Sequence, residues 1–228
     1  MGRPNWEHFP ASVYRDREER NRFVGAQFAG DLGGTVLNIG GGGKKHLVRW
    51  LPPGAKYLEI DIAGEPDQLV DLERELPLAF GDQSFDTVVC TDVLEHVDNL
   101  HAVFAEGCRV AKDSVIISLP NAWATLRGDM FRGTGQSGKF YGLPLQKPED
   151  RHKWFFSFTD AEAFLETASR EQGFAPARWL SCGFVHPKAV QRVARNFTSA
   201  IFGTRGRFNL FATTIWVQLR RDPNRTMR

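Results

Sequence analysis

Residues 35–62 read TVLNIGGGGKKHLVRWLPPGAKYLEIDI. Two short runs rich in aliphatic and β-branched residues, Thr35 to Ile39 and Tyr57 to Ile62, stand on either side of four consecutive glycines, Gly40 to Gly43. Runs that are apolar almost throughout, rather than at every second position, suit strands covered on both faces, as in a parallel sheet. Phe85 to Cys90 and Ser114 to Leu119 repeat the texture. Between those two, Asn99 to Ala111 sets Leu100, Val103, Phe104 and Val110 on one side of a helix. Strand and helix in alternation predict a doubly wound, mostly parallel α/β sheet. A strand near Arg178 to Leu180 and a last, antiparallel strand at Phe211 to Leu219 bring the strands placed on the sequence to six of the seven expected in a single-domain sheet. The broken segment AGEPDQ, residues 63–68, is too short for a full crossover helix.

Outward from this frame, residues 1–30 are expected to form a helical lid or brace, with RDREERNR (15–22) leading into FVGAQFA. The α/β domain itself is then expected to occupy 31–228. Residues 121–158 hold glycines, prolines and scattered aromatics and read as an insertion rather than a regular element. Thr159 and Asp160 are expected to cap a helix running from Ala161 to Glu171 and ended by Gly173. Residues 187–202 form a basic amphipathic stretch that sets Ala189, Val193, Phe197 and Ile201 four apart.

At 228 residues with 42% hydrophobic content, the chain can bury one sizeable core. Its net charge of +2 is not that of a dedicated nucleic-acid binder, and no dense basic patch interleaves with aromatics. Basic residues gather beyond residue 187, so peripheral contact with an acidic membrane surface is one reading of that end, beside the plainer one of a helix packed on the core with solvated charges. Cys90, Cys108 and Cys182 are widely spaced without a CxxC pair, so neither a disulfide framework nor a metal site is expected, and a cytoplasmic setting fits. No stretch is apolar enough to span a bilayer.

The glycine turn is expected to lead into a helix, so that backbone can approach a ligand closely and helix N–H groups can meet an anionic group. Asp61 ends the next strand 21 residues after Gly40, where a carboxylate can accept both hydroxyls of a ribose. A nicotinamide-type G-x-G-x-x-G would need a small residue where Lys45 stands.

Residues 71–97, DLERELPLAFGDQSFDTVVCTDVLEHV, are the most specific stretch. With the glycine turn and Asp61 they resemble the S-adenosylmethionine-dependent methyltransferases of the methyltransferase-domain superfamily, whose fold is Rossmann-like. The resemblance covers about residues 35–121. It implies that Gly40, Gly41 and Gly42 line the methionine part of S-adenosylmethionine, that Asp61 with Ile62 holds the ribose end, that Asp71 and Leu72 flank the adenine, and that Thr91 lies beneath. Asn38 stands where the family has an acid and Lys44 where it has a glycine. An Asn accepts one hydrogen bond from the methionyl ammonium and lacks the charge pairing.

Residues 121–158, including RHKWFFSFTD (151–160), are loosely similar in layout to the MetW family, as the core is to sugar and lipopolysaccharide methyltransferases. This likeness implies that Asn121, Trp123, Tyr141, His152 and Trp154 stand near an acceptor. It gives O-methylation of a sugar or glycan-precursor hydroxyl as the expected reaction, and a non-catalytic protein partner of another enzyme as the alternative. Methyl transfer to a hydroxyl releases a proton, and His96 and His152 are the candidate bases. Holding the acceptor in line with the methyl group can also suffice.

Overall fold

The computed structural model describes residues 5–10, 13–133, 145–148, 150–185 and 189–224. One eight-stranded sheet runs in the order β1-β7-β8-β6-β5-β2-β3-β4. Its strands are β1 (Trp6–Pro10), β2 (Thr35–Ile39), β3 (Lys56–Asp61), β4 (Gln68–Leu69), β5 (Phe85–Thr91), β6 (Ala111–Pro120), β7 (Phe174–Val185) and β8 (Thr214–Arg221). Only β8 runs against its neighbours, β6 and β7, as expected for the last strand.

The eighth strand, β1, lies within the segment expected to be helical. It pairs in parallel with β7, and Trp6 stacks on Trp179, Phe158 and Phe208 at ring-centroid distances of 5.0, 4.8 and 5.6 Å. Burial of aromatic surface against the far end of the chain decides this element, and five residues ending in a proline give too little periodicity to reveal it. The helix expected behind it is present as α1 (Arg17–Gln27), capped by Asp16, whose carboxylate accepts from the Glu19 amide at 2.8 Å.

Alternate side chains on the central strands feed two cores. Val36, Val89, Ile116 and Trp216 face α1 and its Phe23, Val24 and Phe28. Leu37, Val88, Ile117 and Val217 face the opposite side. There α2 (Leu100–Val110) and α4 (Phe158–Glu171) bury Leu100, Val103, Phe104 and Leu165. Each such side chain contributes about 1.5–3 kcal/mol on leaving water.

Three helical expectations change. The glycine turn leads only into a short 3-10 segment, His46–Trp50, and α1 packs on it where a crossover helix would otherwise lie. Residues 122–132 are helical, α3 (Ala122–Arg132), capped by Asn121 and closed by Gly133 at φ 64°. Helix α4 begins a turn earlier than expected, because Ser157 and Asp160 form a reciprocal capping box. Helix α5 (Ala189–Phe211) takes in residues 189–202 of the basic stretch, whose first two residues lie outside the described ones, and kinks at Gly203. No helix among the described residues is long and apolar enough to cross a membrane.

Candidate active site

Strands β2 and β5 are neighbours from which the chain winds in opposite directions, and a crevice opens at their carboxyl ends. The cavity there measures about 790 Å3. Gly40 and Gly42 line it from the turn after β2, Asp61 and Ile62 from the end of β3, Asp71 and Leu72 from beyond β4, and His96 from the segment after β5. Six of the nine residues implied for cofactor binding thus face one space. Asn38, Gly41 and Thr91 do not line it.

The glycines are required by space and by backbone. Gly40 and Gly42 have φ of 69° and 91°, and side chains there would strike Val93 and Arg17. A Cβ on Gly41 would overlap the carboxylate of Glu59. Asp61 accepts from the Gly42 amide at 2.7 Å and from the Ala63 amide at 3.2 Å, which ties strand end to turn.

Asn38 is 2% exposed and points under the turn, donating to the Tyr57 hydroxyl at 2.9 Å and to Glu59 at 3.3 Å. Tyr57 itself donates a short bond to Glu59. Burial first, and then the bond to Glu59, push the Tyr57 hydroxyl above its ordinary range. A buried acid therefore sits beneath the glycines, one strand over from Asn38. Neither Glu59 nor the exposed Arg17, which reaches over Gly42 from α1, stood out in the sequence. Arg17 lies 23 residues before the turn and has no local pattern to mark it.

Asp92, at φ 53°, forms part of the floor. It accepts from Arg20 at 2.5 Å and from the Ser118 hydroxyl at 2.6 Å. Burial alone would raise its carboxyl, but the charge of Arg20 and the hydrogen bonds outweigh it and hold the group below the usual carboxylate range.

The acceptor-side residues separate. His152 is 6% exposed and lies behind His96, ring centroids 4.6 Å apart, with its Nε2 4.0 Å from Glu95. Trp154 donates to the Val97 carbonyl at 2.7 Å. Asn121 is buried and donates to carbonyls of residues 208, 209 and 212, so its visible work is to join α3 to the end of α5. Trp123 is partly exposed on α3, and Tyr141 lies outside the described residues. The rim of the cavity is polar, with Arg74, Lys147, Asp150, Arg151 and Lys153. Lys153 bridges Asp98 at 2.9 Å and Glu73, and its bond holds the Glu73 carboxyl below the ordinary range.

Residues 37–119, from β2 to β6, match the family described as methyltransferase domain. No curated protein matches the sequence. Among solved structures, a S-adenosylmethionine-dependent methyltransferase from Archaeoglobus fulgidus is similar at 14% identity over 90% of this chain and 95% of that one, TM-score 0.59. Magnesium protoporphyrin IX methyltransferase from Synechocystis, solved with S-adenosylhomocysteine, gives 18% identity, 90% and 83% coverage and a TM-score of 0.53. A Haloferax volcanii complex of a methyltransferase with its activator gives 15%, 92%, 96% and 0.54. At these identities the likeness is one of fold.

Proposed function

We propose that this chain, a class I S-adenosylmethionine-dependent methyltransferase by its methyltransferase domain and its fold, methylates a hydroxyl oxygen of a small molecule, with a sugar or glycan-precursor hydroxyl as the first choice. The observation that carries the reading is the convergence of the glycine turn, Asp61, Ile62, Asp71 and Leu72 on one cavity at the switch point of the sheet.

In this reading the backbone of Gly40 to Gly42 lies along the methionyl chain of the donor. Asn38 and Glu59 below the turn, and Arg17 above it, meet its ammonium and carboxylate. Asp61 accepts from the ribose hydroxyls, with Ile62 beside it. Asp71 and Leu72 border the adenine, and Thr91 backs the site from within β5. The bound donor supplies an electrophilic methyl group on a sulfonium. The chain's own part is to orient the acceptor toward that methyl, exclude water and accept the acceptor's proton. Of the two candidate bases, His96 lines the cavity and is oriented by Asp150 on its Nδ1 at 2.6 Å, while His152 stands behind it. The sugar reading draws on the likeness to sugar and lipopolysaccharide methyltransferases, and the polar rim offers a polyhydroxylated acceptor many donors and acceptors.

Calorimetric titration with S-adenosylhomocysteine, followed by methyl transfer to a panel of hydroxylated acceptors, tests both halves. Micromolar binding supports the donor site. No binding up to millimolar product moves the weight to the non-catalytic partner reading. A protein or membrane contact in addition to catalysis is favoured by one observation: Met130 and Phe131 on α3 and Phe197, Ile201 and Phe202 on α5 are all more than half exposed.

A further inference from the structure

We infer that Glu95, His96 and His152 form a binding site for one divalent transition cation at the acceptor end of the cavity. One carboxylate oxygen and two imidazole nitrogens lie within 4.8 Å of one another. The Nε2 atoms of His96 and His152 stand 3.8 and 4.0 Å from Oε1 of Glu95, too far for hydrogen bonds to that carboxylate. A cation bonded at about 2.1 Å to such donors sets them roughly 3–3.5 Å apart, so side-chain rotations of less than about an ångström close the set.

The tautomer of His96 favours this use. Its Nδ1 faces Asp150 at 2.6 Å and the Arg151 carbonyl at 3.2 Å, both acceptors, so Nδ1 carries the proton. Its Nε2 stands on the side of the Glu95 carboxylate, which is 1% exposed, and is the nitrogen that could serve as a ligand. A carboxylate bonded to the remote nitrogen is also the arrangement that fixes and strengthens a metal-ligating histidine. Of the charged groups nearby, Asp92 is engaged by Arg20 and Ser118, and Lys153 by Glu73 and Asp98. Two imidazoles and one carboxylate suit zinc, cobalt or manganese and leave coordination positions open. His96 turns that open side to the cavity.

Resting on the methyl-transfer reading, the cation also has a role toward the acceptor, by taking its hydroxyl oxygen as a further ligand. The O–H bond then yields its proton to water more easily, the O–C bond forms, and the methyl–sulfur bond breaks with its electron pair left on sulfur. In that case His96 acts as a ligand rather than as the base. Cation binding itself does not depend on this step.

The test is equilibrium dialysis of the metal-stripped protein against cobalt, zinc and manganese chlorides in turn, with metal counted by mass spectrometry and the cobalt form examined by visible absorption. One cobalt or zinc per chain is expected, with affinity falling at least tenfold in Glu95→Gln and in His152→Ala. Less than about a tenth of a metal per chain, or binding equal in the variants and the parent, overturns the site. Titration of the same samples with S-adenosylhomocysteine separates the outcomes. Retained product binding with lost metal shows a folded variant, whereas metal binding without product binding leaves the cation site standing and removes the methyl-transfer reading. Should His152→Ala fail to fold, the isosteric Glu95→Gln decides.

Discussion

The carboxylate of Glu59 occupies the space that a side chain on Gly41 would need. Glu59 is fully buried, and its partners Tyr57 and Asn38 leave it directly under the turn. A charge in that place is costly unless something positive comes close to it. Glu59→Gln should therefore lower affinity for S-adenosylhomocysteine about tenfold, roughly 1.4 kcal/mol, with little change in fold. Calorimetry on both proteins checks it; equal affinities would mean that the ammonium finds its charge elsewhere. Gly41→Ala should cost about 1–3 kcal/mol of stability by overpacking, read by urea unfolding.

Asp61 closes the turn through the Gly42 amide and faces the cavity. Asp61→Ala should weaken product binding by two orders of magnitude or more, because two charge-assisted hydrogen bonds to ribose hydroxyls are lost at about 1.5–3 kcal/mol each. Binding within twofold of the parent sinks the ribose assignment.

The Arg20–Asp92 pair carries a pH signature. Because the folded state lowers the Asp92 carboxyl, the pair stabilises the protein above the unfolded value, near about 3.9, and that stability is lost as pH falls from there through the lower folded value. Arg20→Leu leaves the acid without its cation and should cost about 3 kcal/mol near pH 7. The deficit should shrink as pH falls from the variant's folded-state value, which burial without Arg20 raises, down to the parent's lowered one. Thermal unfolding of both proteins between pH 7 and 3 tests this, and a deficit independent of pH would contradict it.

Phe197 and Phe202 on α5 are 68% and 62% exposed. Replacing both with serine should leave thermal stability within about 0.5 kcal/mol, as for surface changes. If α5 rests on a membrane, the same change should abolish co-sedimentation with vesicles containing anionic lipid. Co-sedimentation equal to the parent, or none in either protein, removes the membrane contact.

The central strands were legible because burial on both faces writes itself as unbroken apolar runs, and α2 because its buried positions recur with the helical period. Asp61 could be singled out because it ends a strand at a set distance from the glycine turn, whereas Asp71 and Leu72 came only through the family resemblance; all three face the one cavity. What depended on distant partners was not legible. The glycines promised a following helix, but α1, from before β2, takes that ground. The acid under the turn lies on β3 as a buried charge, which a hydrophobicity pattern registers only as an interruption. His96 and His152 were read as rivals for one role, since 56 residues of sequence separate rings that the fold brings into contact.

Strand β1 borders the sheet only through β7, with Glu7 held by Arg178, whose guanidinium also reaches the carbonyl and side chain of Gln27. A segment near residue 8 thus waits for one near residue 180 before it has any neighbour to join. Until then β7 presents an open row of amides and carbonyls, a template for strands of other chains. The pairing of β1 thus covers that edge against self-association and, through Arg178, ties it to the end of α1.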